Sequence, residues 1–288
     1  MTGRHLCSDA EAARRGFADR PAALRRQVLR ETIAAFEAAR PRDHFARAAE
    51  RNLARWRHDS HTSVQGMQIK VIAGDWGNVT QDLTRTHGQC FAVLNMANAY
   101  VPGGAYVEGA IAQEENMFRR TDCHFHVGPD EFDAGRDRYR LAMTRLLSAA
   151  EGRVYLDTNH PRICIRGAED RSAADLGYPW LAAEDVFPFY ELRAAAQDLR
   201  GGSTFDVQEA RRRIAAQLAT LRAGGIRHAV LGAFGCGAFR NPAALVAQIY
   251  QEELLARPGD FDLIAFAIFA SGYGPDNYAP FAAVFNRR

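Results

Sequence analysis

Lysine is almost missing from this sequence: Lys70 is the only one, and arginine carries nearly all the positive charge. The bias runs through every segment alike, so a run of arginines is weak ground for a nucleic-acid surface. Neither sign of charge is in excess. Its 36 basic and 34 acidic side chains leave a formal +2, too little to steer the chain toward nucleic acid, and no direct DNA binding is expected. Cysteine is sparse as well. Cys7, Cys90, Cys123, Cys164 and Cys236 are odd in number, scattered and never spaced C-x-x-C. That argues against a disulfide framework or a zinc finger and fits a reducing compartment. No apolar run approaches the roughly 20 residues that cross a bilayer, and Met1–Gly16 lacks the apolar core of a Sec-type signal. The expectation is a cytoplasmic protein with no membrane partner; an effector delivered into a host cell would read the same way.

Repeats, low-complexity tracts and Gly/Pro-rich linkers are also missing, so nothing marks a boundary between two domains. What is present falls into a helical lead-in followed by strands alternating with helices. Ser8–Arg57 is rich in Ala, Arg, Glu and Leu, with Leu24, Val28, Leu29, Ile33 and Phe36 at helical spacing. Met67–Ala73 alternates and is β-branched, as a strand does. Phe91–Met96 reads as an apolar strand, Gln113–Arg120 as the first turns of a helix, and Arg138–Ala150 as a helix. Val154–Leu156 and Arg162–Ile165 read as two short strands around a turn at Asn159–Pro161, Ser172–Gly177 as loop, and Ala183–Phe187 as a strand. Asp206–Gly224 predicts a helix, His228–Leu231 a strand, Pro242–Leu255 a helix, Phe261–Phe269 a strand and Tyr278–Phe285 a last helix. The pattern implies an α/β fold with a mixed or largely parallel sheet covered on both faces. Residues 1–66 are assigned to an N-terminal helical extension and residues 67–288 to one compact catalytic unit, expected as a monomer.

Two glycine-rich loops follow strands and lead into helices. The first runs from Asn95 through Pro102-Gly103-Gly104-Ala105 to Gln113-Glu114-Glu115, and the second is Gly232–Phe239, GAFGCGAF. Glycine lets backbone N–H groups approach a phosphate, and a helix N-terminus favours an anion. Asn95 and Asn98 offer donor and acceptor pairs for ribose hydroxyls. A carboxylic acid can protonate a leaving oxygen while positive charge develops on a sugar, and a neighbouring carboxylate raises its pKa. The same residues also fit a plainer reading. Glutamates favour helix N-termini, Glu115 can pair with Arg119 at i+4, and loop glycines often only make turns.

Gly103-Gly104-Ala105 followed by Gln113-Glu114-Glu115 resembles the signature of the poly(ADP-ribose) glycohydrolases. The surrounding residues resemble the bacterial branch: an apolar strand, Asn-x-Ala-Asn, Pro-Gly-Gly, an alanine before the glutamine and an arginine soon after the carboxylates. Val230–Phe239 is similar to the family's second phosphate loop, and Ile264–Phe269 with Asn277–Phe281 to its terminal strand and helix. The resemblance implies a macrodomain-type mixed sheet flanked by helices, and a hydrolase that releases ADP-ribose from its polymer or from ADP-ribosylated protein. It implies Glu115 as the acid and then the base, with Glu114 holding substrate hydroxyls. Asn98 would bond the distal ribose and Gln113 would line the substrate. Gly103, Gly104 and Ala105 would lie along one side of the diphosphate, and Gly235, Cys236 and Gly237 along the other. Phe239 would pack on a ribose and Phe281 stack on adenine. No metal or organic cofactor is implied.

The sequence departs from that pattern in two places. Ala105 stands where a third glycine is usual, which costs strain of order 1 kcal/mol if the position needs φ > 0. Arg119–His126 replaces a run of small residues. Such departures open a side-branch reading, a mono-ADP-ribosyl hydrolase acting on arginine-linked ADP-ribose, as do macrodomain effectors specific for ADP-ribosylated ubiquitin. Asp122 would then face the guanidinium. A non-catalytic reader of ADP-ribose is the rival from another class, set against which stand Glu114 and Glu115. His124 and His126 would share one side of a strand and offer metal-ligand chemistry, but no distant ligands complete a site.

Overall fold

The computed structural model describes residues 3–60, 66–270 and 274–286. The junction at 61–65, which the assignment of a helical extension runs through, lies outside the described residues. In chain order the elements are α1 (Asp9–Arg14), α2 (Arg20–Ala38), α3 (His44–Asp59), β1 (Gln68–Ala73), α4 (Trp76–His87), β2 (Ala92–Met96) and α5 (Gln113–Arg120). There follow β3 (Phe132–Asp133), β4 (Arg138–Tyr139), α6 (Leu141–Leu147), β5 (Tyr155–Cys164) and β6 (Phe187–Ala194). The chain ends with α7 (Val207–Ala223), β7 (His228–Leu231), α8 (Ala243–Leu255), β8 (Leu263–Ile268) and α9 (Tyr278–Phe285).

Six strands form one sheet in the order β1-β8-β7-β2-β6-β5. All neighbours run parallel except β5, which runs antiparallel to β6 at one edge. Period-2 alternation sends successive side chains to opposite faces, so each strand feeds two cores. Leu94, Leu231 and Phe266 pack with α7, α8 and α9, while Val93, Val230 and Ala265 pack on the side of α2 to α5. The result is the sheet covered on both faces that the alternating pattern implied.

Four local readings need correction. Tyr155–Cys164 is a single strand with a register shift between Asp157 and Arg162, not two strands around a turn. Arg138 and Tyr139 pair with β3 before α6 begins at Leu141. The strand placed at Ala183–Phe187 starts at Phe187 and runs on to Ala194. Pro188 hides it in the sequence; β2 pairs with β6 only from Tyr190 on, so the missing N–H of Pro188 breaks no bond on that side. His124 and His126 sit on a 3-10 turn, Asp122–His126, rather than on a strand.

The lead-in helices brace α5. Thr32 of α2 donates its hydroxyl to the Arg119 carbonyl at 2.7 Å. Arg26 donates to the Glu108 carbonyl at 3.0 Å, and Arg25 pairs with Glu169 at 2.7 Å.

Candidate active site

A cleft of about 480 Å³ opens along the carboxyl ends of β8, β7, β2 and β6, where open parallel sheets take their ligands. The start of α5 forms one wall. Gln113, its first residue, accepts the Met96 N–H and donates to the Leu94 carbonyl, both at 3.0 Å. That side-chain amide ties the helix to the end of β2, so it serves the scaffold although it also lines the cleft.

The next two residues are the paired carboxylates. Glu114 accepts the Asn98 N–H on Oε2 at 2.7 Å and the Gly103 N–H on Oε1 at 3.1 Å. Glu115 accepts the Ala105 N–H on Oε1 at 3.0 Å. Both carboxylates line the cleft and are otherwise buried. Gly103 and Gly104 sit at φ +70 and +56, a left-handed turn that aims successive loop amides at the two side chains. Arg4 clamps the turn from outside, donating to the Gly104 carbonyl at 2.6 Å while Asp137 holds its other nitrogens at 2.7 and 2.6 Å. Ala105 is outside the left-handed region, so the departure from a third glycine carries no strain.

Burial pushes both carboxyls above the usual range. Glu114 is raised furthest, by burial first and then by the charge of Glu115. Burial raises Glu115, against the Ala105 N–H and the Arg119 charge, which pull it down. Arg119 forms no ion pair with Glu115. Its Nε donates to the Tyr178 hydroxyl at 3.0 Å. The same hydroxyl accepts from Asn116 at 3.2 Å and donates to Glu169 at 2.9 Å. The plainer reading of Glu115 as an i+4 partner is therefore set aside, and the buried Tyr178 ties α5 to the loop before β6.

Asn98 lines the cleft and spends its Oδ1 on the N–H groups of Tyr100 and Val101, at 2.8 and 3.0 Å, so Nδ2 is the group it can offer. Across from it runs the second loop, with Gly235, Cys236, Gly237 and Phe239 all in the lining. Gly235 has φ +75, and a Cβ there would meet Ala196 at 2.5 Å. Asn241 fastens the loop, donating to the carbonyls of Gln197, Gly235 and Phe239 at 2.7, 3.2 and 3.3 Å. Burial pushes the Cys236 thiol up to about 12, which suits a small wall residue and not a nucleophile.

Four expected residues lie elsewhere. Gly103 and Gly104 stand behind the carboxylates rather than along the cleft. Asp122 accepts the Ile163 N–H at 2.8 Å and faces His126 at 3.2 Å, outside the lining, so it does not await a guanidinium. Phe281 is fully buried against Phe266 at 5.2 Å and Tyr250 at 6.5 Å, and cannot stack on adenine. His124 bonds the Tyr106 hydroxyl at 2.8 Å.

Sequence reasoning missed Phe17, Asp75, Trp76, Glu169, Arg171, Phe269 and Arg200, all of which line the cleft. Asp75 had a readable signal, an aspartate at a strand end that caps the next helix; it bonds the N–H of Gly77 and Asn78 and pairs with Arg120 at 2.5 Å. Trp76 donates Nε1 to Asn116 at 2.9 Å. The others come from connections without a motif.

Known proteins resemble this arrangement. Residues 25–142 match the model described as microbial-type PARG, catalytic domain. The poly(ADP-ribose) glycohydrolase from Thermomonospora curvata is 24% identical with a TM-score of 0.62, covering 91% of this chain and 99% of its own. The same enzyme bound to the inhibitor ADP-HPD gives 24% and 0.60 over 90% and 98%. The Deinococcus radiodurans poly(ADP-ribose) glycohydrolase in complex with ADP-ribose gives 21% and 0.54 over 83% and 91%. No curated protein matches. Residues 25–142 thus resemble the microbial-type poly(ADP-ribose) glycohydrolase catalytic domain, and the chain has the macrodomain-like fold of the bacterial enzymes.

Proposed function

We propose that this protein hydrolyses ADP-ribosyl glycosidic bonds, with Glu115 as the acid and then the base. The observation that carries the reading is the setting of Glu115. It is a cleft-lining carboxyl, anchored by one N–H on one oxygen and raised in pKa by burial. A reader of ADP-ribose needs the diphosphate loops but has no use for such a group. Related structures hold ADP-ribose and the inhibitor ADP-HPD, and the cleft has the size and polar placement for a ligand of that kind.

In the proposed reaction, protonated Glu115 gives its proton to the departing oxygen as the bond from the ribose anomeric carbon to that oxygen breaks. Positive charge grows on the ribose, next to the ionisable Glu114, which positions the adjacent hydroxyls. Water then adds to the anomeric carbon and its proton passes to the Glu115 carboxylate. Free ADP-ribose leaves and the acid is restored. Asn98 through Nδ2 and Phe239 are assigned to the ribose, and Gly235–Gly237 to the diphosphate.

The test is to incubate the protein with poly(ADP-ribose) and follow free ADP-ribose, with calorimetry of ADP-ribose binding alongside. Release of ADP-ribose supports the hydrolase. Tight binding without release from polymer or from ADP-ribosylated protein would leave a reader in its place.

A further inference from the structure

Arg200 lines the cleft over Phe239 of the loop after β7. The cleft crosses β8, β7, β2 and β6 in sheet order, and Phe269 and Arg171 lie toward the β8 end. Ala196 and Arg200 line it after β6, on the far side of the strand whose loop carries Glu114 and Glu115. Asp198 grips the guanidinium with Oδ1 on Nε at 2.8 Å and Oδ2 on Nη2 at 2.5 Å. The guanidinium carbon sits over the Phe239 ring, 4.9 Å from its centre. The Leu199 N–H donates to the Phe239 carbonyl at 3.1 Å, so the arginine's loop and the phosphate loop are joined. The hydrogen bonds from Asp198 strengthen the hold of Arg200 on its proton against desolvation, and the Glu115 charge adds a smaller pull. Asp198 is not part of the lining, so the cleft meets the cation and not its partner.

Among the other acidic groups in the lining, Asp75 is paired with Arg120 and Glu169 with Arg25. The loop after β6 therefore presents a half-exposed guanidinium, held by Asp198, over the ring of Phe239. In the proposed reaction the leaving group is bonded to the ribose assigned to Phe239, the ring over which that charge sits. The departing part of a poly(ADP-ribose) chain carries diphosphates. The departing part of an arginine linkage is a guanidine, which becomes a cation on taking a proton.

We infer that Arg200 is a specificity-determining residue that favours the anionic leaving group of poly(ADP-ribose) over the cationic one of arginine-linked ADP-ribose. Specificity is a difference between two affinities, and one charge acts on both with opposite sign. The inference rests on the hydrolase reading.

The experiment measures kcat/KM for wild type, Arg200→Gln, Arg200→Glu and Arg200→Lys on poly(ADP-ribose) and on an arginine-linked mono-ADP-ribosylated peptide. Because the group is half exposed, the expected loss on polymer is about threefold for Arg200→Gln and about tenfold for Arg200→Glu, mostly in KM. Arg200→Lys should keep most of the wild-type value. The salt dependence of KM for polymer should flatten in Arg200→Gln. A wild type that cleaves polymer while Arg200→Glu keeps the same KM and the same salt dependence overturns the inference and leaves the hydrolase standing. Wild-type release from the arginine linkage alone also overturns it. Release from neither substrate removes the hydrolase reading, and this inference with it.

Discussion

A Cβ added at Gly104 would overlap Oε1 of Glu115. The loop glycine thus makes room for the carboxyl that the Ala105 N–H anchors. Gly104→Ala should push the acid out of place and strain a backbone at φ +56. A shift of that kind is worth about a hundredfold in kcat, with a stability cost of about 1 kcal/mol. Turnover and thermal melting on the same sample would check both. Unchanged kcat would mean that Oε1 is not where the chemistry needs it.

The pH dependence follows from the direction in which burial moves the acid. Glu115 works protonated, and its pKa is raised by burial. Activity should be full below that pKa and fall as pH rises through it, at a pH above the ordinary glutamate value of about 4.3. The sign for stability is the same. A carboxyl whose folded pKa exceeds the unfolded one stabilises the fold fully below the unfolded value and loses that contribution as pH rises through the folded value. Glu114 is raised further, by burial first and then by Glu115. The Tm of Glu114→Gln relative to wild type should therefore increase with pH over the range above the ordinary glutamate value of about 4.3. A kcat profile that rises steadily with pH through that range would contradict the assignment of Glu115 as an acid.

Phe239 and Phe281 should respond oppositely to truncation. Phe239 lines the cleft beneath Arg200, so Phe239→Ala should raise KM about tenfold through lost ring contact with the ligand. Phe281 lies in the core between α9 and the sheet, so Phe281→Ala should cost about 3–5 kcal/mol of stability. Steady-state kinetics and denaturant unfolding of the two variants separate the effects. An increase in KM confined to Phe281→Ala would reverse the placement.

How far the sequence could be read depended on whether a signal was local. Helix α5, strand β7 and helix α9 stand where periodicity and flanking residues put them, at Gln113–Arg120, His228–Leu231 and Tyr278–Phe285. β6 was misplaced because Pro188 interrupts its pattern, and only the position of β2 makes that proline harmless. In the site, the loops were legible as anion-binding glycine stretches. Their division of labour was not. The Gly103–Ala105 turn serves the carboxylates, which depends on how α5 folds back over it. Arg200 and Glu169 sit in connections without a motif, and only the fold brings them to the cleft with Trp76 at the start of α4. Phe281 is placed on adenine by the resemblance alone, and no local signal in the sequence decides between a base and the core. Helix α9 instead buries it beside Phe266.

The central claim is that Glu115 moves the proton, and turnover of Glu115→Gln against its ADP-ribose binding tests it most directly. The account predicts a fall in kcat of about a hundredfold to ten-thousandfold, with calorimetry still showing ADP-ribose bound at near wild-type affinity. Glu115→Gln that releases ADP-ribose from polymer at the wild-type rate would contradict it.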